Sequence, residues 1–374
     1  FYEAVMHSHA RLTYNEVAEA LGLVAKAPRA GLMDRLEKIM PDLENLRGLY
    51  ECLRAQRSKR GAIDFETTET QIISNADKKI ESIEPVVRND AHKIIEECML
   101  SANVCAANYL LDNPGDGIYR NHETPSEEKL TNLRDFLLDF GLTLGGGSEP
   151  TVKDYGEILK KIANRPDAHL LQTVLLRSMQ QAAYSSKNLG HFGLAYSAYT
   201  HFTSPIRRYP DLLVHRAIKS QLDGKNPKIK NIGEIALHCS TTERTADDAT
   251  RDVESWLKCY FMQDKVGESF WGTVAGVTGF GLFMELDDIY IEGLLHVTEL
   301  GNDYFTYDKA RHAMVGEKTN LTYRLGDRLE IKVIRVDLDS IKIDLGLIGS
   351  QKKPSKKFKK SFIRAEKSKK QTKR

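Results

Sequence analysis

At Val266 the rhythm of the sequence changes, and that change sets most of what the chain can fold into. Before it, apolar residues recur in helical steps of three and four. From there to Ile348 the apolar runs are short, β-rich and broken by Gly, Asp or Asn. They are Ser269–Val277, Leu282–Leu286, Gly293–His296, Arg328–Asp337 and Ile341–Leu345. Five such strands within one short segment predict a small β-barrel. The expected division is therefore a largely helical region over 1–263, a barrel over 264–348 and a Lys-rich tail over 349–374.

The helical part is punctuated. Leu12, Val17, Leu21 and Val24, then Met33, Leu36, Ile39, Leu43, Leu46 and Leu49, predict helix through residues 1–60, with Pro41 opening its later piece. Ala62–Glu66 alternates as a strand does and is expected to pair with Gln71–Ile73. Helices follow at 88–111, 126–141, 151–162, 166–185, 211–223 and 229–263. Residues 186–209 are rich in Ser, Gly and aromatics and read as an irregular, functional segment.

Charge is distributed unevenly. The formal net charge is +2, yet residues 351–374 hold ten Lys and two Arg against Glu366 alone. The tail thus carries +11 and the other 350 residues −9. It has too few apolar residues to fold alone and is expected to be disordered, and such tails usually meet a polyanion. No apolar stretch is long enough to span a bilayer, so no membrane partner is expected. Cys52, Cys98, Cys105, Cys239 and Cys259 form no C-x-x-C pair, which fits a reducing cytoplasm. Phe1 stands where Met would, without a leader pattern, so a fragment or processed product is expected.

The chemistry concentrates in residues 191–216. Pro205 and Pro210 bracket Ile206-Arg207-Arg208-Tyr209, and Pro210 suits the first turn of a helix. Two arginines then sit beside a helix start, where the dipole is already positive. Either an anion such as phosphate lies between them, or they pair with Asp211 or another carboxylate.

The run from His191 to Arg216, H-F-G-L-A-Y-S-A-Y-T-H-F-T-S-P-I-R-R-Y-P-D-L-L-V-H-R, resembles the late block of the catalytic RNB domain of the RNase II / RNase R family, its bacterial RNase R branch in particular. Glu96–Asn103, following Arg88–His92, resembles a second block, and Arg60–Glu66 a third. The resemblance implies an α/β RNB domain, largely helical here, from a processive 3′→5′ exoribonuclease that releases nucleoside 5′-monophosphates. It implies that Arg207 is the catalytic arginine on the scissile phosphate, where developing negative charge needs a cation. Thr203, Ser204, Arg208 and Tyr209 become RNA contacts, and Phe65 the aromatic that stacks on a base near the 3′ end. The family uses divalent metal, Mg²⁺, held by an aspartate cluster D-x(5)-D-x-D-D. That pattern is absent from this sequence, and Asp247, Asp248 and Asp252 read as a solvated helix face. The second clamping aromatic and the cold-shock domains are missing as well. The chain is therefore expected to be a C-terminal part, inactive alone, of an enzyme whose metal ligands lie elsewhere. The other class considered is a non-catalytic RNA-binding or RNA-chaperone module.

Residues 266–348 resemble an S1 RNA-binding domain, a five-stranded OB-fold, on Gly272–Phe283 and Gly293–Val297. The resemblance implies an RNA face of Phe280, Phe283 and His296, with Phe270 a neighbour and Lys332 and Arg335 on a nearby strand. Some of these aromatics could equally fill a small barrel. In the tail, Lys352, Lys353, Lys356, Lys357, Lys359 and Lys360 are candidate phosphate contacts. Single-stranded RNA, or structured RNA with a 3′ overhang, is the expected partner. The tail could also reach ribosomes or RNA-decay proteins.

Overall fold

The structure, a computed structural model, describes residues 1–25, 27–63, 69–165, 167–308 and 312–348. Its helices are α1 (Tyr14–Ala20), α2 (Leu32–Leu36), α3 (Met40–Arg60), α4 (Asp90–Asp112), α5 (Glu127–Asp139), α6 (Val152–Ile162), α7 (Ala168–Ser178), α8 (Tyr209–Leu222) and α9 (Ile232–Met262). Residues 1–13 are not helical, which corrects the expected helical start; α1 begins only where Thr13 and Glu16 form a capping box. Pro41 opens α3 as expected, and Gly61, with φ of 79°, closes it by donating its N–H to Arg57. Asn89 caps α4, and Glu96 and Glu97 of α4 reach back to Arg57 of α3 at 3.2 and 2.7 Å.

Two hairpin-like pairs differ from expectation. Strand β1 (Thr70–Ser74) pairs with β2 (Ile80–Pro85) across a turn in which Asn75 Oδ1 accepts from the N–H groups of Asp77 and Lys79. The strand expected at Ala62–Glu66, and Phe65 with it, lies mostly outside the described residues. Helix α7 stops at Ser178 rather than near 185. Ala183–Ser185 is instead strand β4, paired with β3 (Tyr119–Asn121). That pairing matters, because it places Arg120 and Tyr184 side by side beneath the irregular segment.

The second half is a closed barrel. Its strands are β5 (Ser269–Thr278), β6 (Gly281–Leu286), β7 (Ile291–His296), then, after an insertion, β11 (Arg328–Asp337) and β12 (Lys342–Leu347). They join in the order β11-β12-β7-β6-β5, with β11 closing onto β5. These are the five strands expected. The insertion is a separate three-stranded sheet of β8 (Phe305–Asp308), β9 (Ala313–Gly316) and β10 (Thr322–Arg324), which the sequence pattern did not single out. Leu282, Met284 and Leu286 point inward and are fully buried, while Phe283 and Glu285 alternate outward. Gly281 is required where it stands, because a Cβ there would lie 2.5 Å from the Leu295 carbonyl oxygen.

One apolar core runs from α5, α6 and α7 through Met262 of α9 into the barrel interior. A second core joins α4, α8 and α9 beneath the irregular segment. The irregular segment is thus held by helices on one side, and the barrel is packed against the same helical body rather than tethered to it. The Lys-rich tail, including the six candidate lysines, lies outside the described residues.

Candidate functional site

The irregular segment ends in a turn made by Ser204-Pro205-Ile206-Arg207-Arg208. The Ser204 carbonyl accepts from the N–H groups of Arg207 at 3.3 Å and Arg208 at 3.0 Å. Asp211, in the first turn of α8, is wholly buried, and its Oδ1 accepts from Ser204 N at 2.8 Å and from Arg208 Nη2 at 2.7 Å. The two readings of the arginine pair are therefore divided between the two residues. Arg208 pairs with the carboxylate. Arg207 is exposed and has no ion-pair partner among the described residues. The turn tightens around the buried pair and turns Arg207 outward beside a helix N-terminus, a geometry suited to an anion. Tyr209 is half exposed next to it, whereas Thr203 Oγ1 and Arg208 Nε are buried without a hydrogen-bond partner.

Buried polar groups fix that turn from below. Asn103 of α4, fully buried, donates to the Tyr199 hydroxyl at 2.9 Å and accepts from Phe202 N at 2.9 Å. His215 of α8 stacks on Phe202, ring centres 4.1 Å apart, and donates to its carbonyl. Tyr184 meets His201 Nδ1 at 2.7 Å and lies near Glu243 of α9, which pairs with Arg120 at 2.6 Å. Arg120 also covers the Tyr184 ring at 4.6 Å. Asn103 lay within a block the sequence had flagged, but its part in tying down the turn was not legible. Arg120, Tyr184 and Glu243 were missed, because residues so far apart in the chain share no local pattern.

Burial, with neighbouring positive charge, holds two of these histidines neutral. His191 and His201 are each pushed down to about 3, mainly by desolvation, then by His122 for the first and Arg208 for the second. The unfolded value is near 6.5, so protons bind the unfolded chain preferentially between the two values. Stability is then fully present above about pH 6.5 and falls as the pH drops towards 3, by at most about 1.4 kcal/mol per pH unit for each histidine. Urea midpoints measured from pH 7.5 to 5 are expected to fall with acid, and His201→Asn to reduce the slope. A flat profile would contradict the assignment.

On the barrel, the structure brings together Phe280, Phe283 and His296. Phe280 is half exposed and meets Phe283 edge-on at 6.0 Å. His296 is exposed and pairs in register with Gly281, next to Phe280. Phe283 stands between Gly276 of β5 and Leu294 of β7, and the row continues through Asp344 to Arg335. Arg335 is exposed but engaged with Asp337 at 2.7 Å. Two expected neighbours fall elsewhere. Phe270 is half-buried and packs on the core, because its strand position shares the inward parity of Val274. Lys332 lies opposite Ser269, at the other end of β5 from Gly276. Trp271, on the outward parity beside Phe270, is the exposed aromatic there, with Arg328 over its ring.

Comparison with known proteins decides the family. The RNB domain family model matches residues 1–224. The chain belongs to the RNB family. The S1 RNA binding domain model matches residues 263–348 of the same chain. Ribonuclease R of Vibrio cholerae is 50% identical over 366 residues, which cover 94% of this chain and 44% of the relative. Ribonuclease R of Escherichia coli is 47% identical over 367 residues, covering 95% and 44%. Among solved structures, the apo form of Mycoplasma genitalium RNase R matches with a TM-score of 0.81 at 29% identity, covering 90% of this chain and 53% of that one. The same Mycoplasma protein is also solved in complex with ribose methylated single-stranded RNA and with double-stranded RNA. The chain spans about half the length of these relatives.

Within this RNB-family chain, the described residues include no group of three or more His, Cys, Asp or Glu placed to hold a metal ion. Asp247, Asp248 and Asp252 are exposed on α9, with Asp248 paired to Arg251, so they do not suit the metal that the family resemblance implies. No helix among the described residues is long and apolar enough to cross a membrane.

The outward-facing ring pair makes a direct test. Phe283→Ala removes a stacking platform and no charge, so it is expected to cost about 1–3 kcal/mol of RNA affinity with an unchanged salt slope. Binding titrations at two salt concentrations measure both quantities. A collapse of thermal stability instead would make the ring a structural one.

Proposed function

We propose that this chain supplies the phosphate-gripping and RNA-holding parts of an RNase R-like 3′→5′ exoribonuclease that yields nucleoside 5′-monophosphates. One observation carries the reading: Arg207 is presented outward, unpaired among the described residues, by a turn that Asp211 and Arg208 lock from within. A fixed guanidinium of this kind stabilises charge that grows on a phosphoryl oxygen during transfer. Ser204 and Tyr209 flank it as RNA contacts. Thr203, whose hydroxyl is buried, and Arg208 act by shaping the turn. Phe65 would stack on a base near the 3′ end.

RNA is held mainly by the barrel and tail. Phe280, Phe283 and His296 offer a ring-lined face that accepts any base, and the twelve tail cations offer sequence-independent grip. The tail could in addition reach ribosomes or decay proteins. Mg²⁺ would supply the activated water in the working enzyme, through carboxylates outside this chain; the chain's own residues grip phosphate, stack bases and exclude solvent. The low cysteine pairing fits a cytoplasmic setting. Taken by itself, the chain is an RNA binder without turnover, so the RNA-binding-module reading describes the isolated chain. The test is whether Arg207→Ala separates turnover from RNA affinity in an enzyme carrying these residues.

A further inference from the structure

Helix α9 carries an apolar line that no other element covers among the described residues. From Arg244 to Trp256 every residue of the helix is exposed. Ala246, Ala249, Val253, Trp256 and Tyr260 recur in steps of three and four, the spacing of a seam between two helices. Val253 is 59% exposed, Trp256 41% and Tyr260 44%, and the last two rings stack 5.6 Å apart. Carboxylates edge this seam. Asp252 and Glu254 flank Val253 in the chain, and Asp264 lies one turn beyond Tyr260. All three are exposed, and none has an ion-pair partner among the described residues. Such a surface suits a partner that is apolar along one line and basic around it.

The chain's own tail has that make-up. Its large apolar side chains are Phe358, Phe362 and Ile363, and Phe358 stands between Lys356-Lys357 and Lys359-Lys360. Phe358, Phe362 and Ala365 repeat at four and three, the spacing that puts side chains on one side of a helix, and Pro354 one turn earlier suits its start. A segment this polar lacks the apolar area to fold alone and orders on a partner. The tail also leaves from a suitable place. Strand β12 pairs with β11, whose Val333 carbonyl accepts from Gly267 N, shortly after α9 ends at Met262. Residues 349–357 lie between the last described residue and Phe358, and can span about 30 Å when extended. A second copy of the chain suits the seam less well, because its α9 would set the same carboxylates against each other.

We propose that the C-terminal tail folds back onto its own chain, with Phe358 and Phe362 against Val253, Trp256 and Tyr260 of α9 and its lysines beside Asp252, Glu254 and Asp264. Docked in this way, those lysines face carboxylates of the body instead of an outside polyanion, so the contact is a latch on the tail. The docking needs no RNA and involves neither Arg207 nor the ring-lined barrel face, so it stands or falls independently of the proposed function.

Trp256 reports on it directly. The chain has two tryptophans, and Trp271→Phe leaves Trp256 alone to fluoresce. In that background at low salt, deleting residues 350–374 is expected to move the emission to longer wavelength, since the ring meets more water. The deletion leaves every core residue in place. A peptide of residues 350–374, added to the shortened chain, is expected to reverse the shift. Phe358→Ser with Phe362→Ser in the peptide should weaken its binding at least about tenfold, and so should Val253→Asn with Tyr260→Gln in the chain. Asp252→Asn with Glu254→Gln should weaken it and flatten its salt dependence. Leu237→Asn, at an exposed apolar position of α9 outside the seam, should change nothing. The peptide variants leave the folded chain untouched, so they decide even if a helix variant melts early. Emission that ignores the tail, or peptide binding indifferent to both phenylalanines, would overturn the proposal. So would a short-wavelength emission that follows chain concentration and persists without the tail, which would assign the seam to a second copy.

Discussion

Deleting residues 350–374 is expected to weaken single-stranded RNA binding at least about a hundredfold at low ionic strength, and to flatten its salt dependence. The cause is counterion release. The deleted segment holds ten Lys, two Arg and one Glu, while the remaining residues are net acidic. If about half of those cations meet phosphates, the slope of log affinity against log salt shrinks by about 4 for a single strand. The ring face of Phe280 and Phe283 stays in place, so residual binding should persist and vary little with salt. An unchanged slope in a salt titration would remove the tail from the RNA contact.

Asp211→Ala is expected to destabilise the fold by about 3 kcal/mol, because it leaves the mostly buried Arg208 guanidinium without its carboxylate. It also removes the acceptor for Ser204 N and so loosens the turn that presents Arg207. Adding Arg208→Met to Asp211→Ala should recover part of the stability, since no uncompensated charge is then left behind. It should not restore the turn. Urea unfolding of the two variants measures the first effect. A cost below about 0.5 kcal/mol for Asp211→Ala would mean that water replaces the carboxylate freely.

Much of this fold was legible because its patterns are local. The five barrel strands were visible from alternation between turn residues, and Pro41 and Pro210 marked helix starts correctly. What failed was non-local or too short. Ala183–Ser185 looks like the end of a helix until Tyr119–Asn121 pairs with it, and three residues carry no readable period. Residues 1–13 have apolar spacing but do not form a helix, and Tyr2, Val5 and Met6 are highly exposed. Strands β8–β10 hide in a stretch where alternation is broken by Asp, Asn and Lys.

The site divided in the same way. Arg207 and Asp211 were readable because they share one turn, and spacing alone posed the correct question of whether the arginines pair or bind an anion. Which arginine does which was decided by burial of Asp211, a tertiary fact. Asn103, Arg120 and Glu243 support the segment from remote helices and strands, so only the folded chain reveals them. Phe270 shows the reverse error: an aromatic in a suggestive strand, placed on the inward parity by register.

Single-turnover cleavage of an end-labelled single-stranded RNA, run beside a binding titration, tests the central claim most directly. Three preparations are compared: the 374-residue chain alone, the chain joined to the N-terminal part of the Escherichia coli relative, and that chimera with Arg207→Ala. The account predicts RNA binding by all three, Mg²⁺-dependent release of mononucleotides by the chimera only, and a turnover loss of about 10²–10³ for Arg207→Ala with affinity nearly unchanged. Robust Mg²⁺-dependent release by the chain alone, or normal turnover with weakened binding in the Arg207→Ala chimera, would contradict it.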